Sequence, residues 1–198
     1  MAEQDPIYSK AIAHLASLIE DARQRGDRET SSAALATAGV DARPSVRMVD
    51  VRISASGLLI FANADSGKGQ QMQKNPRAAV CFHWPVLQYQ AIVEGLVTLL
   101  SEADSDAQWR SVPRDYTLGH WASDQTKAQD HPTALRQNMR EYQQQFEWER
   151  VPRAPSWRAF EIGPERIEFW PTGWQRLLAR QRYLKTPDGS WAVSSENP

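Results

Sequence analysis

The residues of this chain best suited to chemistry are cationic and lie far apart in sequence. PSVRMVDVR, residues 44–52, plants Arg47 inside an otherwise apolar strand pattern. IEFWPTGWQRLLAR, residues 167–180, sets Trp170 a few positions before Arg176 and Arg180, which stand four apart. A half-buried guanidinium is costly unless it meets a fixed anion or acceptor. Two remote segments that each carry inward-facing arginine therefore point to one shared site for a planar, phosphate-bearing ligand. SGKG, residues 66–69, adds a third piece. Its glycines let backbone N–H groups turn toward an anion, the helix start behind it adds positive potential, and Lys68 supplies charge. The glycine spacing differs from a Walker loop and no Ser or Thr follows the lysine, so taken alone the segment reads as a solvated turn. Gln90 and Gln125 carry amides that donate and accept at once, which suits the edge of a heteroaromatic ring.

These residues need a scaffold, and the hydropathy pattern describes one. Tyr8, Ala11, Ile12, Leu15, Leu18, Ile19 and Ala22 recur at helical spacing up to Gly26, so the chain opens with an amphipathic helix. Residues 33–38 read as a short apolar strand. Residues 46–53 alternate, with Arg47, Val49, Val51 and Ile53 on one face and Val46, Met48, Asp50 and Arg52 on the other. Gly57 breaks that run, and a hairpin across 54–57 leads into a strand at 58–62. A short helix at 70–75 stops at Pro76. Strands follow at 78–84 and 90–100, the latter bent near Gly95, then helices at 102–111 and 133–146. Strands at 158–162, 166–170 and 191–193 finish the sheet. Many short strands with few helices between them predict a mainly β (α+β) fold, an antiparallel barrel with peripheral helices. The polar stretch 122–132 reads as a loop able to cover a ligand. The chain reads as one domain, residues 1–198.

Composition removes several classes of function. The formal net charge is -1, which gives no field for a polyanion, so no nucleic-acid partner is expected. No apolar run approaches the roughly 18 residues of a membrane span, and the first residues lack a secretory pattern. The single cysteine, Cys81, sits in an apolar run and suits a reducing, cytoplasmic setting. His14, His83, His120 and His131 show no metal-ligand spacing. Glu165 and Glu168 do not share a strand face, which argues against a general acid/base pair. No nucleophile elbow is present. Of the eight tryptophans, Trp170 is the one placed against a ligand.

The order and spacing of several segments are familiar. PSVRMV (44–49), SGKG (66–69), NPRAAVCFHW (75–84), Gln90 with VEG (93–95), GHWASDQT (119–126) and IEFW (167–170) give the chain its resemblance to the pyridoxamine 5′-phosphate oxidase family of FMN enzymes along nearly its whole length. The resemblance implies an FMN-binding split β-barrel, with a core near 27–126 and a C-terminal dimerisation and cofactor segment near 155–198. It implies a homodimer with FMN in each of two interface clefts. By the same resemblance Arg47 and Lys68 fall on the FMN phosphate and Gln90, Gln125 and Thr126 on the flavin side. Trp170 and Arg180 complete the cleft, and Met48, Val49, Phe61, Ala62 and Ser66 are further cofactor positions. Ala62 stands where a threonine is usual and Gly67 where an arginine is usual.

The substrate side departs further from the family. Positions that in relatives grip the B6 phosphate fall on Arg52, Gln108, Val112 and Tyr116, and only Arg52 is cationic. In the C-terminal run, Arg176 is kept while Leu178 replaces a histidine. Hydrogen bonds to charged groups are worth roughly 1.5–3 kcal/mol each, so losing two costs about two to four decades of affinity. The expected function is hydride transfer from a small substrate other than pyridoxine or pyridoxamine phosphate to FMN. The alternatives are a true pyridoxamine/pyridoxine phosphate oxidase with a rearranged phosphate site and a non-catalytic flavin-binding protein. Catalytic residues are not assigned.

Overall fold

The computed structural model describes residues 5–123, 132–172 and 180–196. These fall into two compact units, one drawn from Met1–Ile60, Gln71–Thr98 and Glu161–Pro198, the other from Phe61–Gln70 and Leu99–Phe160.

The first unit opens with α1, Pro6–Gln24. Pro6 needs no amide partner in the first turn, and the Asp5 carboxylate accepts from the amides of Ile7 at 2.8 Å and Tyr8 at 3.3 Å. Ala11, Leu15, Leu18 and Ala22 bury the expected stripe, and Gly26 leaves the helix with a φ of 90°. The strands are β1 (Ser32–Ala38), β2 (Pro44–Ile53), β3 (Leu58–Asn63), β4 (Arg77–Trp84), β5 (Tyr89–Leu99), β6 (Trp157–Pro171), β7 (Arg180–Lys185) and β8 (Trp191–Glu196). They form one sheet in the order β3-β2-β1-β4-β5-β6-β7-β8, and an added β3–β6 pairing closes the first six into a barrel. Closure leaves those strands no free edge. Leu35, Val51, Ile60, Val80, Phe82, Val93, Ile162 and Phe169 fill the interior. The seam between β5 and β6 is tight, since a methyl group on Gly95 would lie 2.0 Å from the Gly163 carbonyl oxygen. Among the described residues, no helix is long and apolar enough to cross a membrane.

The helix α2 (Gly67–Lys74) links the two units in sequence, and the second unit carries α3 (Glu102–Trp109), α4 (Arg114–Ala122) and α5 (Pro132–Gln145). Its core gathers Trp109, Leu118, Phe146, Val151, Ala154 and Trp157. Arg153 ties the unit together by pairing with Glu102 and Asp106 and donating to the Trp157 carbonyl at 2.6 Å.

Several boundaries differ from the sequence pattern. α2 begins at Gly67, three residues before the expected start. α4 was not expected: it starts behind Pro113 without a side-chain cap and buries only Thr117, Leu118 and Ala122, so its periodic signal is weak. β7 was also not expected, because in RQRYLK only Tyr183 is buried. The two strands expected at 158–162 and 166–170 are one strand, β6, which runs through Gly163 and Pro164. Gly163 reads as a breaker in isolation, but here it is where β5 comes close. Gly95→Ala should therefore cost about 1–3 kcal/mol or more, the usual penalty of an overpacked interior. Urea unfolding would show this as a lower midpoint with an unchanged slope.

Candidate functional site

The barrel unit positions Arg47 by strand register. β1 and β2 run antiparallel with Leu35 opposite Arg47 and Thr37 opposite Ser45, so Thr37, Ser45 and Arg47 emerge on one face. The Arg47 guanidinium donates to Thr37 Oγ1 at 2.6 Å and to Ser45 Oγ at 2.6 Å. It also reaches the Leu35 carbonyl and Gln71 Oε1, each at 3.3 Å. Thr37 and Ser45 in turn donate to Gln71 Oε1 at 2.6 and 2.8 Å. Among the described residues, every acceptor around this half-buried cation is neutral. Burial alone shifts it, pushing the guanidinium below its ordinary value with no carboxylate acting against that shift.

Three positions before Gln71 on the same helix stands Lys68. The turn that starts α2 is locally wound: Ser66 Oγ donates to the Asn63 carbonyl at 2.6 Å and accepts from the Gly69 amide at 3.3 Å. Gly69 is required there, since a methyl group would sit 2.4 Å from the Asn63 carbonyl oxygen. Gly67 faces open space. Within this second unit Phe61 stacks on Trp157 at 5.0 Å, and Ala62 is buried. His120 packs against Trp109 at 5.9 Å and Trp157 at 6.2 Å. Burial, and then the charge of Lys68, pushes its imidazole below the ordinary histidine value. A cavity of ≈ 310 Å³ opens beside it, lined by Asp115, Tyr116, Gly119, His120 and Ser123.

In the barrel unit, Trp170 and Arg180 meet, the guanidinium carbon lying 3.6 Å from the centroid of the indole. Gln90 stands opposite His83 in the β4–β5 ladder, and Arg52 opposite Leu59 in the β2–β3 ladder. Met48 is exposed, whereas Val49 points with Arg47 to the other face of β2. Gln108 is half-buried on α3, Val112 packs against the apolar cluster, and Tyr116 is 63% exposed. Gln125, Thr126, Arg176 and Leu178 lie outside the described residues.

The family profile described as pyridoxamine 5′-phosphate oxidase matches residues 19–171. The chain belongs to this family. Two curated relatives, both named pyridoxine/pyridoxamine 5′-phosphate oxidase, support the assignment over almost their full lengths. That of Anaeromyxobacter dehalogenans is 41% identical, covering 94% of each chain. That of Alkalilimnicola ehrlichii is 37% identical, covering 97% of this chain and 99% of the relative. Among solved structures, PhzG of Burkholderia lata, in complex with tetrahydrophenazine-1-carboxylic acid, has a TM-score of 0.87 at 25% identity, covering 100% of this chain and 99% of that one. A pyridoxamine 5′-phosphate oxidase-related, FMN-binding protein of Nostoc punctiforme has a TM-score of 0.74 at 19% identity, covering 99% and 100%, and shares the split-barrel fold.

Each unit also has side chains in these clusters that sequence reasoning did not single out. Ser45 and Thr37 were within reach of it, since Ser45 lies two residues from Arg47 and Thr37 lies across the ladder. Gln71 and His120 had no comparable signal. A His120 held neutral by its surroundings should also leave a mark on stability. The folded protein binds fewer protons there than the unfolded chain, so this stabilisation is present above about pH 6.5 and fades as pH falls through the lower folded value. Lys68 is the charge that opposes protonation. His120→Gln should make the urea midpoint fall less steeply between pH 7.5 and 5 than it does in the unmodified protein.

Proposed function

We propose that this chain binds FMN and transfers a hydride to it from a small planar substrate, in a cleft completed by a second copy. The observation that carries this reading is the half-buried Arg47 fork, surrounded by neutral acceptors. A cation so placed meets no anion among the described residues, and a phosphate oxygen pair matches its geometry. Thr37, Ser45 and Gln71 hold the fork in place before any ligand arrives. Arg47 and Lys68 take the phosphate, with Met48, Val49, Phe61, Ala62 and Ser66 around the cofactor. Gln90, Gln125 and Thr126 read the ring edge, and Trp170 and Arg180 close the cleft. FMN supplies the hydride acceptor when bound, and the protein supplies orientation and electrostatics. On the opposite face of β2, Val46 is 69% and Met48 64% exposed, which supports burial against a second copy. Cys81 as a free thiol suits a cytoplasmic setting.

On the substrate side, Gln108, Val112 and Tyr116 are neutral, and Val112 belongs to an apolar cluster. The likeness to PhzG, whose structure holds a tricyclic carboxylate, supports a planar aromatic acid over a phosphate ester. Arg52 and Arg176 serve as the cations for its carboxylate, with Leu178 adding apolar surface. The name carried by the 41% identical relative favours a second reading, oxidation of pyridoxine or pyridoxamine phosphate itself.

Purified protein should carry flavin absorbance or take up added FMN. Arg47→Met should weaken FMN binding roughly 10- to 100-fold in a fluorescence-quenching titration, as expected for a charged hydrogen-bond pair. Gly67→Arg has room for its side chain and should tighten FMN binding, by about tenfold if one such bond forms. Under anaerobic conditions a dihydroaromatic carboxylate should bleach the flavin while pyridoxine phosphate does not. Formation of pyridoxal phosphate at millimolar substrate would decide for the second reading, and protein that cannot bind FMN would end both.

A further inference from the structure

Arg166, Arg180 and Arg182 share one face of the β6–β7 ribbon, and a single carboxylate treats them differently. Arg166, Glu168 and Trp170 alternate along β6, and Arg182 stands opposite Glu168 on β7. Glu168 is 5% exposed, so its charge needs compensation. Its Oε1 accepts from Arg182 Nε at 2.8 Å and lies 3.5 Å from Arg166 Nε. Its Oε2 accepts from the Trp170 indole N–H at 2.9 Å. Arg166 is paired a second time, with Glu94 of β5. Burial by itself would raise the Glu168 carboxyl. The hydrogen bonds from Trp170 and Arg182 and the charges of Arg166 and Arg182 outweigh burial, so the group is held below its ordinary value and stays ionised. Arg180 differs from the other two: it rests on the Trp170 ring.

We infer that Glu168 is a positioning residue, which fixes the plane of Trp170 through the indole N–H and neutralises Arg166 and Arg182. Arg180, stacked on that ring, is then carried toward an anionic ligand on a shelf that cannot rotate freely. A tryptophan held only by packing could tilt, and Arg180 would tilt with it. With its N–H anchored on a buried carboxylate, the ring becomes a fixed shelf, and the cation stacked on it keeps one direction. The inference rests on the FMN reading for the identity of the ligand, but the anchoring of the indole is independent of it.

Two measurements test it. In flavin-free protein, the Trp170 indole N–H resonance is identified by its loss in Trp170→Phe. It should shift and exchange faster with solvent in Glu168→Gln. In a quenching titration, Glu168→Gln and Trp170→Phe should each weaken FMN binding, Glu168→Gln by about tenfold. The double variant should be weaker by less than the product of the two, because both act through one contact. An unchanged indole resonance in Glu168→Gln overturns the inference, and so do strictly multiplicative effects on FMN binding. If Glu168→Gln does not fold, Glu168→Asp, which keeps the charge and shortens its reach, is read by the same two measurements. A parent protein that takes up no FMN ends the flavin reading, while the indole resonance still decides the role of Glu168.

Discussion

A guanidinium that is half-buried yet meets no carboxylate among the described residues is the constraint around which this molecule is arranged. Arg47 projects from a strand whose neighbour presents Thr37, and the first hydrogen bonds it finds are to two hydroxyls and an amide. Those contacts satisfy direction and leave charge unmet. Had an aspartate stood at Thr37 or Ser45, the cation would be neutralised internally and the seat would be closed to an outside anion. On the proposed FMN reading, the neutral cage keeps the arginine aimed while leaving its charge available, which is how preorganised binding differs from a structural ion pair.

The same molecule shows the opposite treatment elsewhere. Arg153 meets Glu102 and Asp106, Arg77 meets Glu165, and Arg166 meets Glu94. These pairs hold elements together and leave little charge over. Arg47 is held instead by two hydroxyls and an amide, and Arg180 by an aromatic face.

How much of this the sequence revealed depended on period. α1 and β2 were readable because their burial follows strict periods of 3.6 and 2, and Arg47 stood out as a charge on the apolar phase of β2. The family resemblance then placed Lys68, Trp170 and Arg180, of which Trp170 and Arg180 are in contact. α4 and β7 escaped because each buries few side chains and its pattern is carried by the partners it packs on. The continuity of β6 escaped because Gly163 and Pro164 usually end a strand. Here the Gly163 carbonyl comes so close to β5 that only glycine fits at position 95. Gln71 and Glu168 became significant only in three dimensions: one is an unremarkable helix residue, and the other was set aside as half of an unsuitable carboxylate pair.

Gln71 has a further consequence for the order of assembly. Its amide oxygen is the point where Thr37, Ser45 and Arg47 converge, yet it belongs to the helix that starts at Gly67 and not to either strand. The β1–β2 ladder aligns Arg47 with Thr37 and Ser45, but the arginine fork gains its last acceptor only once that helix has wound. On the proposed FMN reading, a chain caught between those events would own a hydrophobic interior and no finished anion seat, so competence to load a ligand would trail behind compaction.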